Sequence, residues 1–205
     1  MKYFSITLVY ILLILSCSEN NTDSNDPKKE IWPLTVGNKW TYTFFSYHSS
    51  NVDSIKNKGT FEYYIPYSKI VDGVEWFAFA ELGDNPNIFF ANKSDGLWVT
   101  EHLHDTSDFN PQNTGLAYKY PTYVGEYNPK DSSGFKTVSI NDLLNTPAGS
   151  FNCIKYIQAK DETSSMYLAP GIGLVKTEQI NHIDTIAKDT NWIVQHLISY
   201  ELKKK

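Results

Sequence analysis

Apolar positions fall along this chain in three regimes. From Tyr3 to Leu15 they form one greasy run; from Ser18 to Glu30 (SENNTDSNDPKKE) they vanish. From Ile31 onward they return in short stretches that alternate with polar residues, the period-two pattern of β-strands. Gly37-Asn38 is a turn signal, after which Trp40, Tyr42 and Phe44 share one face. A second strand is predicted from Thr60 to Val71, with Pro66 marking an edge or a break. Asp72-Gly73 and Asp95-Gly96 are two-residue hairpin signals. Val74–Leu82, between them, is apolar on both faces and so predicts a strand covered on both sides. Further strands are predicted at Ile88–Ala91, Leu97–His104, Phe135–Ile140, Phe151–Ala159, Met166–Ala169, Leu174–Ile180 and Trp192–Leu202. Asp105–Gly115 reads as a long polar loop. Pro121, Gly125 and Pro129 predict an irregular stretch after it, and Lys203–Lys205 a solvated end. Asn141-Asp142-Leu143-Leu144 is the one candidate helical turn. Many short strands separated by turn signals predict an all-β antiparallel fold, an open barrel or a sandwich.

The N-terminal run is short for a membrane span, which needs about 18–20 apolar residues. With Lys2 before it and Ser16 after it, it fits a signal peptide instead. Its last residues, Ile14-Leu15-Ser16-Cys17, resemble the lipobox of bacterial lipoproteins. The resemblance implies cleavage before Cys17, a diacylglycerol on its sulfur and an acylated (palmitate-type) N-terminus. Two or three chains anchor stably where a single one, at ~0.8 kcal/mol per buried CH₂, does not. Residues 17–30 then read as acylated cysteine plus tether. The 13 residues from Ser18 to Glu30 reach about 45 Å extended and average roughly 20 Å as a coil. Ser18 rather than Asp after the cysteine resembles the sorting signal for the outer membrane.

Removing residues 1–16 leaves 189 residues, of which 31–205 read as a single domain able to bury its own core. Aromatic residues make up 15% of the chain, in keeping with strands. Eighteen lysines against 23 acids give a net charge of −5, and arginine is absent. This balance argues against nucleic acid, whose binding is dominated by phosphate neutralisation, and removes the bidentate guanidinium fork. With Cys17 acylated, Cys153 has no disulfide partner. The residues beside it supply no histidine base, so it reads as a small core hydrophobe.

The sharpest chemical constellation is Glu101-His102-Leu103-His104-Asp105. On a strand, His102 and His104 share a face and are candidate ligands for zinc or copper, with His182, Asp184 or His196 as third ligand. The plain alternative is a polar face on an edge strand. No G-x-S-x-G, H-E-x-x-H or phosphate-loop motif is present, and no cofactor is implied. Asp53-Ser54-Ile55 and Asp184-Thr185-Ile186 resemble a bacterial O-glycosylation sequon.

Three stretches resemble a loose group of uncharacterised exported β-sheet proteins and lipoproteins. They are Pro33–Tyr42 (PLTVGNKWTY), Thr146–Cys153 (TPAGSFNC) and Tyr167–Lys176 (YLAPGIGLVK). The resemblance implies an antiparallel meander curled into an open (half) barrel, similar to periplasmic lipoprotein carriers, with a β-sandwich as the alternative. It carries no catalytic residues. Gly37, Trp40, Gly149, Gly171 and Gly173 read as fold determinants, and the Gly171/Gly173 pair as a turn or bulge needing positive φ. The expected function is a membrane-anchored, non-catalytic binding or accessory module of the cell envelope. Its partners would be the bilayer through Cys17 and an apolar ligand, glycan or partner protein. The alternative is a metal-dependent hydrolase using His102 and His104.

Overall fold

The computed structural model describes residues 29–101, 103, 113–128, 134–160, 162–184 and 189–204. These form twelve antiparallel strands and no α-helix. The first six are β1 (Lys39–His48), β2 (Asn51–Tyr64), β3 (Ser68–Val71), β4 (Val74–Glu81), β5 (Ile88–Lys93) and β6 (Gly96–Glu101). The others are β7 (Gly115–Lys119), β8 (Phe135–Thr146), β9 (Gly149–Gln158), β10 (Ser164–Ala169), β11 (Gly173–Asp184) and β12 (Asp189–Glu201). Eleven pair in the order β7-β6-β5-β4-β2-β1-β12-β11-β10-β9-β8, and β3 pairs with β4 off that path. The sheet curls into an open barrel with one seam, between β7 and β8; it is not a sandwich of two separate sheets.

Turn chemistry fixes much of the register. Asp72 and Gly73 both hold positive φ, 50° and 76°, as a hairpin whose twist matches its strands requires. Pro66 lies in the break between β2 and β3. Pro147 and Ala148 turn the chain into β9. Bulges at Thr41/Tyr42, Phe44/Phe45 and Tyr167/Leu168 bend the strands. The sheet turns a corner where β2 meets β4, since only Tyr63 and Tyr64 pair across it.

Three expectations are corrected. Asn141–Leu144 is no helical turn but the middle of β8, paired to β9 with Asp142 opposite Cys153. Leu143 is exposed, so the two adjacent leucines never formed an apolar helical face. Gly115–Lys119 is a strand, β7. Lys203 is not simply solvated: its backbone N–H donates to Asn38 Oδ1 at 2.7 Å.

The interior is closed at one end by the segment that precedes β1. Ile31, Trp32 and Leu34 are buried there with Trp40, Tyr42, Leu97, Ile154, Tyr156 and Leu168. Trp32 meets Trp40 and Phe79 edge-on, at 5.7 and 5.0 Å between ring centres, and stacks on Phe90 at 5.6 Å. Fully buried Asn38 ties this plug together. Its amide donates to Pro33 O, its N–H to Thr35 O, and its carbonyl accepts from Ile65 N. The Glu30 carbonyl accepts from Gly171 N at 2.7 Å, so ordered contacts begin within the stretch read as tether. β4 is covered on both faces as expected: Trp76, Ala78, Phe89, Ala91 and Leu103 pack on its outer side with Val71 from β3. A third cluster, Cys153, Tyr167, Ala169 and Val175, lies beneath Leu144 and Phe151 of the β8–β9 hairpin.

Candidate functional site

Above the plug the inner face of the barrel forms a half-open cavity of about 1000 Å³. Its floor is the Trp32 indole with Phe79 and Phe90. Its walls come from Tyr63 (β2), Val99 (β6), Ala117 and Tyr118 (β7), Phe135 (β8), Met166 (β10) and Leu174 (β11). It opens past Glu81, Asp84, Asn85, Asn87 and Glu101, all exposed, with Thr177 and Gln195 on the opposite wall. Among the described lining residues no side chain is basic.

The polar atoms of the wall are mostly tied back into the protein. The Tyr118 hydroxyl donates to Met166 Sδ, and its ring packs on Phe135 and Tyr156 at 5.3 and 5.2 Å. Burial pushes the Tyr118 phenol up, and the Tyr63 phenol too, the latter helped by the charge of Glu81. Both therefore stay neutral. The Tyr42 hydroxyl donates to Leu174 O and the Trp40 indole N–H to Ile172 O. The inner part of the cavity is accordingly lined by aromatic and aliphatic surface and the Met166 thioether, while acidic and amide side chains stand at its rim and opposite wall.

Cys17 lies outside the described residues, as do His102, His104 and Thr185. His182 pairs in register with Asn191, while His196 pairs with Lys176. Five residues along β12 separate the two positions, roughly 17 Å, too far to share one ion. His196 sits edge-on to Phe45, 5.2 Å between ring centres, and burial followed by the charge of Lys176 lowers its pKa. Among the described residues no group of three or more His, Cys, Asp or Glu side chains is placed to hold a metal. Cys153 is fully buried, and its thiol is pushed up to about 12 by that burial first and by Asp142 second, the reverse of an activated nucleophile. Ser54 lies within β2.

Gly37, Gly149, Gly171 and Gly173 have φ of 88°, 136°, 83° and 100°. At Gly173 a Cβ would fall inside the Trp32 indole, so this glycine makes room for the cavity floor. A polar group on the outer wall is structural. Glu178 accepts from Ser165 and Tyr167, both at 3.1 Å, and pairs with Lys176. Burial opposes its ionisation, but Lys176, Tyr167 and Ser165 outweigh burial and hold its carboxyl below the usual range. The cavity lining, drawn from nearly every strand, carries no local signature that sequence reading can detect.

No protein-family model and no curated protein matches this chain. Among solved structures, a predicted exported protein with YmcC-like fold from Bacteroides fragilis aligns over 85% of this chain and 100% of its own, at 15% identity and a TM-score of 0.47. A predicted lipoprotein from Parabacteroides distasonis covers 84% and 99%, at 13% identity and a TM-score of 0.40. A LolA superfamily protein from Nitrosomonas europaea covers 88% and 92%, at 8% identity and a TM-score of 0.23.

Proposed function

We propose that this chain is a cell-envelope lipoprotein, cut before Cys17 and held in the outer membrane by the lipid on that cysteine, whose barrel is a non-catalytic binding module for an apolar molecule. The cavity carries the reading. Its volume of about 1000 Å³ lies at the upper end of the range for small-molecule sites, and such sites are mostly apolar with a few polar groups at one side. A ligand hiding about 300 Å² of apolar surface would gain roughly 7 kcal/mol before the cost of immobilising it. With carboxylates at the rim and no basic side chain among the described lining residues, the polar end of the ligand is uncharged or cationic. A fatty carboxylate would have to enter beside Glu81 and Glu101 without a counter-ion.

The test uses N-phenyl-1-naphthylamine, a neutral probe that fluoresces in apolar sites. The parent should bind it, and Ala117→Trp, which fills the cavity, should lose most of that binding while keeping its melting curve. Equal binding by parent and variant would place the probe elsewhere and sink the reading. Glu81→Gln/Glu101→Gln should improve dodecanoate binding several-fold and leave the neutral probe unchanged. For the anchor, Cys17→Ala should accumulate unacylated precursor by intact mass and lose detergent-phase partitioning.

A further inference from the structure

Several apolar side chains that the core does not claim surround the point where the N-terminal segment enters the barrel. Val36 is 45% exposed, Ile70 71%, Tyr123 65% and Val124 59%. The entering chain runs between two hollows. A larger one of about 620 Å³ is lined by Val36, Gly73 and Val74, and a smaller one by Tyr120 and Pro121; Glu30, Asn92 and Lys93 border both. Ile70 belongs to the hairpin that turns at Gly73. Tyr123 and Val124 form the turn after Pro121, closed by Glu126 N–H donating to Tyr123 O. Isolated exposed hydrophobics need no explanation, but these gather at one end of the barrel, around one strand of chain.

We infer that the plugged end of the barrel, led by the Tyr123–Val124 turn, docks on the lipid bilayer that carries the protein's own anchor, and that the cavity mouth faces away from it. The inference rests on the proposed acylation of Cys17. Eleven residues separate Cys17 from Lys29; that length of chain spans at most about 40 Å. β4 by itself climbs seven steps from Val74, at the plugged end, to Glu81 at the rim, roughly 23 Å. The chain that leads to the anchor leaves from the plugged end, beside Lys29 and Glu30, so it holds that end nearer the headgroups than the mouth. Tyrosine is a side chain that settles at headgroup depth, with its ring in the apolar layer and its hydroxyl in the wet one. Charges of both signs stand nearby, Lys29 and Lys93 against Glu30 and Glu75, so the contact is apolar in character and survives high salt.

The test places a fluorophore on the full chain at Val124→Cys, Val36→Cys or, as the mouth control, exposed Leu82→Cys; buried Cys153 is protected from labelling. In phosphatidylcholine vesicles doped with headgroup nitroxide lipid, labels at 124 and 36 should be quenched several-fold more than the label at 82, in low or high salt alike. Tyr123→Ser/Val124→Ser should bring quenching at 36 down to the level at 82. Equal quenching at 124 and 82, or no response to the double substitution, would overturn the docking. Acylation is read separately by intact mass, and a second preparation holds the chain by a histidine tag in place of residues 1–17 on nickel-chelating lipid. A missing acyl group with excess quenching at 124 in the tagged chain would remove the anchor and keep the docking surface; no excess in either preparation would remove the surface.

Discussion

Gly173 and Trp32 fit only as a pair. Positive φ at Gly173 and the indole against its α-carbon each exclude a side chain, so Gly173→Ala combines backbone strain with overpacking of the cavity floor. We expect a loss of about 2 kcal/mol or more in urea melts, whereas Gly73→Ala, with open space around it, should show the backbone cost alone. A second single-residue effect lies at the far tip of the barrel. The Ser50 N–H, then the Ser49 hydroxyl and the His48 ring, hold the Asp189 carboxyl at about 2. An unfolded aspartate titrates near 3.9. The folded pKa is the lower one, so this contribution to stability is present above about pH 4 and disappears as pH falls toward 2. Asp189→Asn should flatten that part of the acid limb in pH-dependent melts. The need for positive φ at Gly173 was legible in Pro170-Gly171-Ile172-Gly173. Its partner was not, because Trp32 sits far up the chain and nothing local announces it.

Between strands, the seam is the place to look. The segment after β7 returns along β8, with Gly125 N–H donating to Thr137 O, Thr137 N–H to Glu126 O and Asn128 N–H to Phe135 O. From there the Asn128 amide reaches across and donates to the carbonyls of Leu116 and Ala117 in β7, while the Tyr156 hydroxyl donates to Lys119 O at 2.8 Å. Side chains thus join two edges whose backbones do not pair. Asn128→Ala should cost about 1–3 kcal/mol through the carbonyls it strands, and hydrogen exchange should show lost protection concentrated in β7. Unchanged exchange there would mean that the seam is held by Tyr156 and ring packing alone. Strands with turn dipeptides beside them, β3 to β6 and β9, were readable because Asp-Gly and Pro-Ala-Gly specify backbone geometry locally. β7 was hidden by its brevity and by the polar loop before it. The first half of β2, Asn51 to Lys58, is too polar to signal a strand and is held by pairing with β1 instead. Leu143-Leu144 looked helical only while its ladder to β9 was unknown.

For the molecule as a whole, an all-β domain could be read from the chain but the cavity could not, since enclosure depends on bulges and corner geometry summed over eleven strands. The same holds for His102 and His104, whose worth as ligands depends on a third group that spacing does not locate. We expect a folded monomer that needs no metal. Melts with EDTA, with excess zinc, and of His102→Ala/His104→Ala should coincide. Zinc bound only by the folded state at a hundred times its Kd would add about 2.7 kcal/mol, and a rise that the double substitution abolishes would revive the hydrolase reading. The order of synthesis adds a constraint of its own. β1 lies between β2 and β12, the plug before it is fastened by Gly171 and Lys203, and the Trp40 indole of β1 itself donates to Ile172 O. The first strand made thus waits for the last, and the floor of the barrel closes only after nearly the whole chain has emerged. A chain made in order cannot set that floor early, and a product stopped before Trp192 lacks both β12 and the Lys203 N–H that completes the base.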